Sequence, residues 1–259
     1  MNLFDDEARI IEYLQMAELP KVHFLNFTLP LVRFFISLHS SKHFCNWVNS
    51  SSKSAVPPDF YSDKYKVMLE VMRFDDYEVG SNSPNALESQ FYKRIERQFT
   101  EHGKRLEKGQ YKFLLMPDYS KVSENNLALY YENFRRVVEK HARKTGEYRE
   151  AHPGYELGFL LCDESPAYIE AVEKQEKIPP EGVPIKGRYY EAPKDKRFID
   201  VLLETDVDFI IWMTPYKEMP GNPKQYLIET YLLDVNKAKR KPVKHVNYDY
   251  ERVMCLEVY

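Results

Sequence analysis

The sequence predicts an α/β fold, a central mixed β-sheet flanked by helices on both faces, and three observations carry that expectation. The stretch from Tyr65 alternates with period two: Tyr65, Val67, Leu69 and Val71 fall on one face, Lys66, Met68, Glu70 and Met72 on the other. Both faces are largely apolar, so both should be covered. Leu127, Tyr130, Tyr131, Phe134, Val137, Val138 and His141 keep the i, i+3, i+4, i+7 spacing of an amphipathic helix. Strand-like and helix-like stretches alternate along the rest of the chain, as a sheet layered between helices requires.

Each element has its own signal. Leu3, Ile10, Ile11 and Leu14 predict a first helix, and an apolar second helix follows Pro30 towards Trp47. "NSSSKSAVPP" reads as a loop before the period-two strand. Ser83 followed by Pro84 has the form of an N-cap with proline at the first helical position, and Leu87, Phe91, Ile95 and Phe99 continue as an apolar stripe. "YKFLLMP" predicts a buried strand, and the Leu127 to His141 helix follows, with Thr145-Gly146 suited to its end. "ELGFLLC" predicts another strand, and Ser165-Pro166 a short helix after it. A proline- and charge-rich insertion spans 174–196; beyond it "RFIDVLLE" predicts a helix, and "VDFIIWM", "YLIETYLLDV" and "RVMCLEV" predict strands.

No internal repeat is present, and the segments 174–196 and 215–225 read as long surface loops. One α/β domain over 1–259 is therefore expected, with N-terminal helices in 1–50, a core over 56–162, the loop insertion, and a C-terminal helix with strands over 197–259.

Composition narrows the function classes. Apolar residues make up 43% and charged residues 30%, the balance of a folded globular chain. Lys and Arg number 37 against 40 Asp and Glu, so any nucleic-acid contact must use a local patch and not an overall field. Cys45, Cys162 and Cys255 are an odd, scattered set without CxxC spacing, which suits a reducing compartment. The N-terminal stretch is acidic where an export signal is basic, and "FTLPLVRFFISL" is too short to span a bilayer. A cytoplasmic protein with no membrane partner is expected.

The most informative stretch is "VPPDFYSDKYKVMLEVM". Asp59 follows two prolines, and Glu70, eleven positions later, lies in the middle of an apolar strand. A buried carboxylate without a partner is expensive, so something cationic should face it. This layout resembles the PD-(D/E)XK nuclease superfamily, in which a hairpin between two packed helices carries an aspartate on one strand and a Glu-x-Lys triplet on the next. The resemblance covers roughly Phe34 to Met116 and implies a restriction-endonuclease-like core. It further implies Asp59 and Glu70 as ligands of Mg²⁺, whose role is to acidify the attacking water and to stabilise charge on the phosphate. The position of the family's lysine holds Met72, which can do neither job. Lys66, expected on the same strand face, and Lys93, from the following helix, are the candidate replacements. As a whole the chain also resembles a bacterial protein family without an assigned activity.

Other constellations compete. Asp75, Asp76, Asp118, Asp163 and Glu164 all follow strands and could converge on a cation, although acids in such positions more often cap the next helix. His39 and His43 have i, i+4 spacing near Cys45, without a second pair to close a metal site. "KHARKTGEYR" and "KAKRKPVKH" are basic runs that suit a phosphate backbone or a solvated face. No GxSxG, P-loop or GxGxxG pattern occurs. The expected function is a metal-dependent nuclease-like protein acting on or binding nucleic acid. The alternative is a non-catalytic binding or assembly module on the same fold, and Met72 favours it.

Overall fold

The computed structural model describes residues 7–16, 22–26, 28–39, 46–50, 58–75, 126–165, 167–173, 186–214 and 229–255. All of them fall within one compact unit, Met1–Asp76 with Asn125–Tyr259; the second unit, Tyr77–Glu124, lies outside the described residues. In chain order the elements are α1 (Glu7–Met16), β1 (Val22–Asn26), α2 (Leu29–His39), β2 (Val48–Asn49), β3 (Phe60–Ser62), β4 (Val67–Phe74), α3 (Asn126–Ala142) and α4 (Thr145–Ala151). There follow β5 (Glu156–Asp163), β6 (Tyr168–Ala171), β7 (Gly187–Tyr190), α5 (Lys196–Leu203), β8 (Phe209–Thr214), β9 (Glu229–Asp234), α6 (Val235–Arg240) and β10 (Val253–Cys255).

Seven strands make the main sheet, in the order β1-β9-β8-β5-β4-β3-β2. It is mixed: β2, β3 and β4 form an antiparallel meander, β4, β5 and β8 run parallel, β9 is antiparallel to β8, and β1 is parallel to β9. The two faces of β4 sort as their alternation requires. Val67, Leu69 and Val71 meet Ile10, Ile11, Leu14, Phe35 and Leu38 of α1 and α2. Met68, Met72 and Phe74 join Tyr130, Phe134 and Val138 of α3 and Phe198 of α5 on the other face. Each such side chain contributes about 1.5–3 kcal/mol when fully buried, so the sheet is held from both sides. Gly158 on β5 leaves the space that the Phe209 ring of β8 takes, since a Cβ there would lie 2.1 Å from that ring.

Helix starts are chemically marked in the C-terminal half. Asp195 accepts from Arg197 N–H at the head of α5, and Asp234 accepts from Lys237 N–H at the head of α6.

Several expectations need correction. Thr145-Gly146 does not close a helix: α3 ends at Ala142, and Thr145 opens α4, its hydroxyl donating to the Ala142 carbonyl. Ser165 leads into strand β6 and not a helix, because Tyr168 and Ile169 pack as buried strand residues. The insertion 174–196 contains strand β7, whose pairing with β6, itself paired to β10, builds a second, three-stranded sheet. Trp47 lies beyond α2, and Tyr65 and Lys66 belong to the turn before β4. The expected helix from Ser83 and the strand "YKFLLMP" lie outside the described residues. Among the described residues no helix is long and apolar enough to cross a membrane.

Candidate functional site

The β3–β4 hairpin brings Asp59 and Glu70 together. Its register pairs Phe60 with Leu69 and Tyr61 with Met68, and one step further the same register sets Asp59 across from Glu70. Asp59 stands just before β3, and its Oδ2 accepts from Val71 N–H at 2.7 Å, so the side chain continues the ladder where the strand stops. Ser50 fixes the approach: its N–H donates to the Asp59 carbonyl at 2.8 Å and its hydroxyl to the Pro58 carbonyl at 2.5 Å.

Glu70 points under α3 and α4. His141 Nδ1 lies 2.6 Å from Glu70 Oε1, and the Tyr148 hydroxyl donates to the same oxygen at 2.8 Å. The Glu70 side chain is only 5% exposed, and its Oε2 is buried with no hydrogen-bond partner. Burial, then the Glu70 charge, holds the Tyr148 phenol far above its ordinary range, which keeps it a donor. Asp59 shares the strain. Its carboxyl is pushed up to about 7 by burial first and the Glu70 charge second, against the Val71 N–H and the Lys144 ammonium, which pull it down. Lys144 sits in the turn between α3 and α4, its N–H donating to the His141 carbonyl.

The predicted replacement lysines fare differently. Lys66 is exposed in the hairpin turn at a positive φ of 54°, and its ammonium donates to the Tyr155 hydroxyl at 3.2 Å. It belongs to the turn before β4 and not to the strand that carries Glu70. Lys93 lies outside the described residues. Met72 is 2% exposed, packed in the apolar layer beneath α3. Among the described residues, the basic side chains beside the acid pair are His141 and Lys144. The sequence did carry a signal for His141, an imidazole ending an otherwise apolar stripe. Tyr148 had none, because the helix that presents it begins where a helix end was expected.

The described acidic strand ends are each engaged within the fold. Asp163 is fully buried, with Tyr130 and Trp212 donating to Oδ2 at 2.5 and 3.1 Å and Ser165 donating through N–H and hydroxyl to Oδ1. Glu164 instead pairs with Arg73 at 2.5 Å. The Asp75 carbonyl accepts from Asn133, and Asp76 and Asp118 lie outside the described residues. His39 ends α2 beside the Phe35 ring, while His43 and Cys45 are outside the described residues. Among the described residues no group of three or more His, Cys, Asp or Glu side chains is arranged to hold a metal ion.

Fold and site thus define a class: a mixed-sheet α/β protein with a half-buried Asp59 set across a hairpin from a buried Glu70. Comparison of the chain with protein-family models, with curated proteins and with solved structures gave no match.

Proposed function

We propose that this chain is a metal-dependent nuclease-like protein with Asp59 and Glu70 as its cation ligands. One observation carries the reading: Glu70 Oε2 is buried without a hydrogen-bond partner while Asp59, opposite in the hairpin register, feels the Glu70 charge. Two crowded carboxylates in a poorly solvated place are stabilised by a divalent cation. Mg²⁺ is commonly held by one or two carboxylates, with waters and substrate phosphate completing its shell, so a third protein ligand is not required. When bound, the ion would supply charge to a phosphate oxygen and acidify a water.

The protein's own groups have separable tasks in this reading. His141 and Tyr148 hold Glu70 by Oε1 and leave Oε2 for the cation. Val71 N–H fixes Asp59. Lys144 supplies the positive charge that Met72 cannot. The antiparallel hairpin between α2 and α3 supports the PD-(D/E)XK-like core, and the surface along α3 carries Arg135, Arg136 and Lys140, with Arg143 just past its end and Glu132 and Glu139 among them, a mostly basic strip suited to a phosphate backbone.

The test is a pair of measurements on wild type, Asp59→Asn and Glu70→Gln. Mn²⁺ should raise the melting temperature of the wild type alone, and Mg²⁺ or Mn²⁺ should support cleavage of nucleic acid by the wild type alone. An unchanged melting temperature in every chain would overturn the cation site. The burial of Met72 favours the second reading, a binding module that has lost the chemistry. Cation and nucleic-acid binding without cleavage would select it.

A further inference from the structure

Two residues beyond Asp59 on the same hairpin stands Tyr61, and period two puts it on the same face. Its cross-strand partner is Met68, the neighbour of Glu70 on that face. Tyr61 does not stand alone. The His152 ring lies 4.4 Å from it, centroid to centroid, at 38°, and the Tyr155 ring lies 5.2 Å from His152 at 50°. The Lys66 ammonium sits 4.7 Å from the Tyr155 ring centroid. All three rings are half-buried and Lys66 is exposed; Tyr61 and Tyr155 pack against the core yet stay partly open to solvent, whereas Tyr130 and Tyr190 lie within it, at most 2% exposed. Tyr155 is also fixed in place, donating its hydroxyl to Asp63 Oδ1.

We propose that Tyr61, His152 and Tyr155 form a stacking platform for the bases of a single-stranded nucleic acid, with Lys66 holding its backbone. The proposal rests on the nuclease-like reading of the adjoining acid pair and names its substrate class. Aromatic rings bind unpaired bases through their π-faces with little sequence preference, and each base so stacked is worth about 1–3 kcal/mol. In a duplex those faces are occupied by neighbouring bases. Two residues of strand span roughly 7 Å, so a base on Tyr61 would leave a phosphate of the same or the next nucleotide near Asp59. Lys64 and Lys66 on the hairpin turn are exposed to meet that backbone; Asp63, whose carboxylate takes the Tyr155 bond, is the opposing charge on the same turn.

Binding is measured in EDTA, so that no cleavage enters, by fluorescence anisotropy of labelled oligothymidylate, oligouridylate and a duplex of matched length at low salt. Both single strands should bind at least about tenfold more tightly than the duplex. Tyr155→Leu and His152→Ala should each weaken single-strand binding about fivefold or more, and Tyr155→Phe, which keeps the ring, should not. Near-ultraviolet circular dichroism confirms that each variant is folded; if Tyr155→Leu unfolds, His152→Ala and Tyr155→Phe decide alone. Equal affinity for duplex and single strand, or ring removal without effect in a folded variant, overturns the platform. Cleavage without that preference leaves the acid pair standing and removes only the platform. Single-strand binding sensitive to the rings, with no cleavage in Mn²⁺, does the reverse.

Discussion

His141 Nδ1 lies 2.6 Å from Glu70 Oε1, which ties the last turn of α3 to the middle of β4. Tyr148, from α4, donates to the same oxygen, so the two donors form one unit around one acceptor. His141→Ala and Tyr148→Phe should each destabilise by about 1–3 kcal/mol, because each strips a donor from a buried carboxylate. Their effects should not add: a double-mutant cycle read from urea midpoints should give a coupling of at least about 0.5 kcal/mol. Simple additivity would mean that the donors act on Glu70 independently.

The Asp59 carboxyl supplies a pH dependence of unusual sign. Its ordinary value of 3.8 rises to about 7 in the folded chain, chiefly through burial and then the Glu70 charge. Folding therefore takes up a proton between those two values, and the contribution of this group to stability falls as pH climbs through that window. Asp59→Asn removes the titration while keeping an oxygen to accept the Val71 N–H. In EDTA, the stability of Asp59→Asn relative to wild type should thus grow from pH 5 to pH 8 by an amount on the order of a few kcal/mol. A difference that stays flat with pH would show that Asp59 ionises normally.

Met72 separates catalytic ancestry from core packing. It is 2% exposed and paired in register with Leu161 in the layer beneath α3. Met72→Leu conserves volume and should cost less than about 1.5 kcal/mol. Met72→Lys brings an ammonium into that layer and should cost about 3–5 kcal/mol in a denaturant midpoint, with no recovery on adding Mg²⁺. Tolerance of the lysine would mean that the layer opens towards Glu70.

Asp163 is expected to behave as structure and not as a cation ligand. Removing it takes away an acceptor that Tyr130, Trp212 and Ser165 share in the core. Asp163→Ala should therefore destabilise by about 3–5 kcal/mol in urea. Asp163→Asn, which keeps an acceptor, should keep the full Mn²⁺-dependent rise in melting temperature, and loss of that rise would return the acidic strand ends to consideration.

What was legible in the sequence followed periodicity. The two-faced burial of β4, the stripe of α3 and the runs of β5 and β8 could be read because a strand or helix packed from both sides leaves a regular apolar pattern. Strand β1, "VHFLN", is half-exposed along most of its length and left no such pattern. Strand β7, "GRYY", begins with exposed Gly187 and Arg188 and sits in a stretch whose prolines and charges resemble a loop. The acid pair was legible because a carboxylate in an apolar strand is anomalous in itself. The groups completing it were harder to see: Lys66 was expected on the strand by alternation, but a positive φ turns the chain there, and Lys144 and Tyr148 reach the site only through the break between α3 and α4.

The edge strand β1 sets a constraint on the order of folding. Its partner is β9, and the Asn26 side chain donates to the Asp234 carbonyl across 208 residues of chain. The β3–β4 hairpin can close as soon as its own few residues are free, but β1 has no strand to join until β9 exists and has docked on β8. Long-range parallel pairing of this kind is slow, because loop closure is paid before the ladder returns anything. On a chain growing from its N-terminus, β1 and its exposed Phe24 therefore wait, with an unpaired edge open to other chains, until the last strand of the main sheet is in place.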